Sequence, residues 1–139
     1  MGNFIDGRTS QNASYANSIA IPILVVDTPQ LFGQIGLVTE GTTGVPRVQL
    51  KGSIAFLPPE GTVSITITIV RGTLSTDPLV YSALQTFSPA LDTQLITFSA
   101  NDFDPPITPL LTYTVFVASS ALGTLRVGPE NFDGILISD

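Results

Sequence analysis

The 139-residue sequence contains no cysteine, no histidine and no tryptophan, and a single lysine, Lys51. Each absence removes a class of chemistry. Without cysteine there are no disulfides, thiolate nucleophiles or Cys-ligated zinc sites, and without histidine there is no imidazole relay or ligand. Charged residues make up 12 % of the chain, about half the usual ~25 %. With five cations against eleven carboxylates, the net charge is −6, which argues against nucleic acid and anionic membranes as partners, since both select clustered positive charge. The longest unbroken apolar stretch, Ile19–Val26, is interrupted by Pro22 and is far short of the ~20 residues of a spanning helix. The first residues lack the basic start and apolar core of a secretory signal. The expectation is therefore a protein made without a signal peptide.

What is present is apolar and β-branched. Mean hydropathy is +0.40, too high for a disordered chain, and the length suits one domain that buries roughly two thirds of its chain surface. The missing charge is replaced largely by Thr, Ser and Gln. So little surface charge predicts that other subunits cover part of the exterior.

The run Val63-Ser-Ile-Thr-Ile-Thr-Ile69 alternates without exception, which fits a half-buried strand and nothing else. Comparable runs cover 19–26, 31–38, 47–57, 79–87, 95–100, 110–118, 124–127 and 132–137, separated by Gly/Pro/Asp breakers such as Pro58-Pro-Glu-Gly61 and Asp104-Pro-Pro106. About nine short strands with no helical periodicity predict an all-β fold, an antiparallel β-sandwich or jelly roll over 19–139. Residues 1–18, polar and rich in Asn, Ser and Gly, are expected to form an extended N-terminal arm, the rival being a disordered tail. Phe4, Ile5 and Tyr15 are its only sizeable apolar groups and are the candidate inter-subunit connectors.

Val70, Phe116 and Leu57 fall on the opposite parity from the inward residues of their strands. On a sheet with one face in water such residues either lie at strand ends under loops or mark a subunit interface, and the shortage of charge favours the second, which makes them candidate trimer-interface residues.

The inventory for chemistry is thin. Asp102 and Asp104 offer two carboxylates for a hard cation, without the Gly and bidentate Glu of a calcium loop, so a turn before the double proline is the better reading. With Val48 and Leu50 pointing inward, Lys51 falls on the other face, against an internal Lys–Asn amide cross-link. Arg71 lies on the inward parity at the end of its strand, placed to reach solvent or cap an acidic loop. Asn12-Ala-Ser14 matches a glycosylation acceptor, as expected by chance in an Asn/Ser-rich segment. No catalytic residue, metal ligand or cofactor is assigned, and the chain is read as no enzyme.

The stretch from Leu50-Lys-Gly-Ser-Ile54 to Val63–Arg71, together with Thr97-Phe-Ser-Ala-Asn-Asp102, Leu111-Thr-Tyr-Thr-Val-Phe-Val117 and Gly128-Pro-Glu-Asn-Phe-Asp-Gly-Ile135, resembles a known jelly-roll group. That group is the tumour-necrosis-factor/complement-globular-head type of bacterial spore surfaces, which includes exosporium proteins and endospore appendage fibre subunits. The likeness covers residues 30–139. It implies a homotrimer packed through apolar outer faces, a spore-surface location and, with no Gly-X-Y stalk in this chain, a self-assembling fibre unit with an anchoring protein as further partner. The arm then docks on a neighbour; extended, it spans on the order of 55 Å. The rival reading is a trimeric carbohydrate- or receptor-binding head of a spore-surface or phage protein. Asn3-Phe-Ile-Asp-Gly7 also echoes Asn131-Phe-Asp-Gly134, which suggests that the arm imitates the closing hairpin.

Overall fold

The computed structural model describes residues 2–88 and 92–139. Among them there are nine strands and no helix: β1 Asn3–Ala13, β2 Ile21–Pro22, β3 Gln30–Val38, β4 Pro46–Leu57, β5 Val63–Arg71, β6 Leu79–Phe87, β7 Gln94–Phe103, β8 Leu110–Ser119 and β9 Leu125–Ser138. Two antiparallel sheets pack face to face as a β-sandwich. One runs β1-β9-β4-β7, with β2 also on β9, and the other runs β3-β8-β5-β6.

The alternation in the sequence sets the layers. Val63, Ile65, Ile67 and Ile69 all turn inward and are buried, as are Leu111, Tyr113, Val115 and Val117 of β8. Opposite them lie Val48, Leu50, Ile54 and Phe56 of β4 and Phe132 and Leu136 of β9. At the centre, Phe98 of β7 meets Phe32 edge-on at 6.2 Å, Tyr81 stacked at 6.3 Å and Phe132 at 6.4 Å. Rings at these separations hold the two sheets together beyond their area burial.

That cluster needs a missing side chain. Gly52 pairs with both Phe98 and Phe132, and a Cβ there would stand 2.6 Å from the Phe98 ring and 2.5 Å from the Asn131 carbonyl oxygen. The glycine in Lys51-Gly-Ser53 is thus a close-approach residue in mid-strand.

Three elements differ from the sequence expectation. The runs at 124–127 and 132–137 fall in one strand, β9, whose ladder with β4 is interrupted at Val127–Pro129, opposite Ala55, and continues on either side. The apolar run 19–26 pairs only at Ile21 and Pro22; Leu24, Val25 and Val26 stand exposed. Residues 3–13, expected outside the domain, form an edge strand hydrogen-bonded to β9. The domain boundary after residue 18 is therefore not a structural boundary in the monomer.

Gly52→Ala is expected to cost about 1–3 kcal/mol through overpacking, while Ser53→Ala beside it stays within about 0.5 kcal/mol; urea melts of the two variants measure the difference.

Candidate assembly surfaces

β1 owes its place to two irregularities. Its ladder with β9 skips a residue between Phe4 and Asp6 and another between Gln11 and Ala13, so Ile5 and Asn12 are the extra residues of two bulges. A bulge re-aims the side chain it inserts. Ile5 turns in and packs on the core, whereas Phe4 stays exposed over Gly7, where a Cβ would sit 3.3 Å from its ring. Asn12 donates from Nδ2 to Oε1 of Glu130 at 2.6 Å.

Glu130 is fully buried and faces the equally buried Arg126, whose Nε donates to Oε2 at 2.6 Å and whose Nη1 donates to the Gln30 Oε1 at 3.1 Å. One buried network therefore joins β1, β3 and β9. Between the bulges, Asp6 and Ser10 point to the free edge of β3. The Val38 N–H donates to Asp6 at 2.8 Å and the Gln34 N–H to the Ser10 hydroxyl at 3.3 Å, so β1 closes the gap between the two sheets on that side. The Val38 amide, reinforced by Arg8 and Gly7, holds the Asp6 carboxyl below its ordinary value.

The other connector candidate, Tyr15, is exposed in the turn after β1. Its carbonyl accepts from the Ser18 N–H at 3.3 Å, with Asn17 in the left-handed region at φ 59°.

Val70 and Phe116 are 1 % and 7 % exposed, and Leu57 is half-buried. Val70 and Phe116 are therefore not the uncovered outward groups that strand parity suggested. Val70 pairs with Leu79 just past a bulge at Val80 of β6, beside a loop that folds back, with the Thr114 hydroxyl donating to the Gly72 carbonyl at 2.7 Å. Phe116 lies between its ladder partners Leu31 and Thr68.

The outer face of the β1–β9–β4–β7 sheet is polar. Thr9, Gln11, Lys51, Ser53, Thr97, Ser99, Asn131 and Asp133 line a shallow depression of about 720 Å³. Lys51 is exposed and 3.9 Å from Asp133, as its parity required.

Exposed apolar groups instead gather at the ends of the sandwich. All the exposed large apolar side chains among the described residues, except Leu84 and Ile135, lie at or beyond strand ends. Phe4, Val38, Phe103, Ile107 and Leu110 are at the end that carries both chain termini; Leu24, Val25, Val26, Leu95 and Leu122 are at the opposite, hinge end. The hinge end is shaped by the Ile23 and Asp27 N–H groups bonding to Thr124 and Ser119 carbonyls, which arches Leu24–Val26 over the loop that holds Leu122.

Asp102 is engaged within the chain. It accepts from Arg71 Nε and Nη2 at 2.8 and 2.7 Å and from the Tyr113 hydroxyl at 2.6 Å. Burial first, and then the facing Asp102 carboxylate, push the Tyr113 phenol up, while the bond to Asp102 raises Arg71. Asp104 lies in a turn at φ 53°. Arg71, Asp102 and Tyr113 share the inward parity at one end of three strands, where their side chains form a latch. Among the described residues no three His, Cys, Asp or Glu side chains come together to hold a metal ion.

Each of the five side-chain cations faces a carboxylate within the chain. The remaining acids, Asp27, Glu40, Glu60, Asp77, Asp92 and Asp104, fall one to each of six successive strand connections, three at either end. No family model and no curated protein sequence matches the chain.

Asp102→Ala, which orphans a guanidinium and a phenol, should cost about 3 kcal/mol against about 1 kcal/mol for Tyr113→Phe, read from urea melts. Because the folded Asp6 pKa lies below 3.8, its stabilisation is complete above that value and is lost as pH falls from there through the folded value. Asp6→Asn should accordingly flatten the acid limb of the stability–pH curve, measured by thermal melts between pH 2 and pH 6 (about two units either side of the carboxylate range).

Proposed function

We propose that the chain is a non-enzymatic structural subunit that assembles with copies of itself into a fibre on a bacterial surface, the spore surface being the setting its sequence resemblance implies. The observation that carries this reading is the placing of exposed apolar groups at both ends of the sandwich. A contact between two different ends of one molecule does not close on itself and grows by repetition. A closed two-fold dimer needs only one such end.

The strand order supports a jelly-roll reading, because the chain passes repeatedly from one sheet to the other. A trimer around the fibre axis draws support from the unequal sides of the sandwich. The side with β1 and β3 is sealed, while the β6 and β7 edges are unpaired and carry the exposed Leu84, Leu95 and Phe103. A sealed side against an open one gives a head-to-tail contact that closes as a ring. The connector role of Phe4 and Ile5 requires β1 to leave β9 of its own chain. Assembly works against three unpaired carboxylates at each end, so it should strengthen with salt.

A second reading, a carbohydrate-binding head, is favoured by the hydroxyl- and amide-lined depression on the outer sheet face. Its two aromatic lining residues, Phe98 and Phe132, are buried, so it offers no exposed ring for a sugar to stack on.

Negative-stain microscopy of the full chain should show filaments whose yield rises between about 10 mM and about 300 mM NaCl. Val25→Glu combined with Leu122→Glu, at the exposed tip of the hinge end, should leave discrete particles of unchanged melting temperature. Discrete particles from the unaltered chain at every salt concentration, with retention on a glycan array, would favour the second reading.

A further inference from the structure

We infer that the seat of β1 on β9 is an interchange site between copies of this chain. It accepts β1 of the copy standing beside it in the ring, not of the copy stacked above. This rests on the assembly reading just given.

The seat is complete without the rest of the β1 chain segment. The β9 ladder, the Gln34 and Val38 amides of β3 and the buried Glu130 all belong to the sandwich, and nothing in their geometry requires β1 to come from the same chain. The seat is also selective. Its two bulges fix the register at Ile5 and Asn12, and Asn12 is the strand's only side chain bonded to the buried Arg126–Glu130 pair. An exchanged strand makes the same contacts, so exchange changes only the hinge. That hinge, residues 14–20, lies outside every strand and contains the tight Tyr15–Ser18 turn, with Asn17 held at positive φ. Opening it releases a conformation that an L-residue adopts at a cost.

Reach and direction choose the partner. Seven hinge residues span at most about 24 Å. A four-stranded sheet is about 19 Å wide, whereas the eleven residues of β1 run about 37 Å along the sandwich. The tether thus crosses one width but not one length. A copy stacked above in the same sense would receive β1 parallel to its β9, contrary to the antiparallel ladder observed. A copy beside it in the same sense receives β1 antiparallel and in register.

Gln11 and Asn131 are ladder partners and both are exposed. Such partners stand about 4.5–5.5 Å apart at Cα, within disulfide range, and the chain has no other cysteine. The full chain carrying Gln11→Cys and Asn131→Cys is assembled, oxidised and run on a denaturing gel without reductant. Side-by-side exchange gives linked species that stop at the ring number, three for the trimer proposed above. Monomers alone overturn the inference, as does a stop at dimers, which marks two-fold exchange between hinge ends, or an open ladder, which marks exchange along the fibre. Microscopy of the same sample tests the fibre reading separately: discrete particles with linked trimers support the exchange and overturn the fibre. In this background Asn12→Asp, which sets a second carboxylate against Glu130, should slow linked-trimer formation at least about tenfold. Equal rates with and without Asn12→Asp would overturn the assigned role of Asn12.

Discussion

The buried Arg126–Glu130 pair is the constraint on which much of this structure depends. A carboxylate and a guanidinium out of water are tolerated only when geometry and further hydrogen bonds satisfy both. Here Asn12 of β1 completes Glu130, and Gln30 of β3 completes Arg126. The pair lies on β9, in the interior of one sheet, yet its satisfaction draws in the first strand of the chain and the edge strand of the opposite sheet. The position of β1 is thus set less by its own hydrophobicity than by a polar group it has to reach. Only Ile5 and Ala13 of its eleven residues turn apolar side chains inward.

This arrangement explains which parts of the structure were legible in the sequence. Val63–Ile69 declared itself, because one buried face and one wet face write a period of two into the chain. The strands at 31–38, 47–57, 79–87 and 110–118 were found for the same reason. Asn3–Ala13 was not, since an edge strand held by its backbone and by Asp6, Ser10 and Asn12 has no hydrophobic period to read. The bulges at Ile5 and Asn12 break even the weak alternation that remains. The run at 19–26 misled in the opposite sense. It is apolar enough for a core strand, but Leu24, Val25 and Val26 stand exposed at the tip.

The candidate sites were legible in the same uneven way. Strand parity placed Lys51 outward and Arg71 on the inner side, but it does not reveal that the Arg71, Asp102 and Tyr113 side chains meet. Parity also pointed to Val70 and Phe116 as outward. A loop folded back beside Val70 and close strand neighbours around Phe116 bury both, and neither effect is written in the residues themselves. Sequence reading sees alternation along one strand. What covers a face depends on strands that arrive from elsewhere in the chain.

The two bulges of β1 also determine how such a chain is free to drift. Asp6 to Gln11 form a regular ladder segment of fixed length between two pins. Substitutions at Gly7, Arg8 or Thr9 leave the pins where they are, while gain or loss of a single residue between them forces either Ile5 out of the core or Asn12 away from Glu130. Descendants of this sequence that keep the fold should therefore vary in the composition of this segment and hold its length. The heritable feature is a spacing, with a polar residue at one end and an apolar residue at the other.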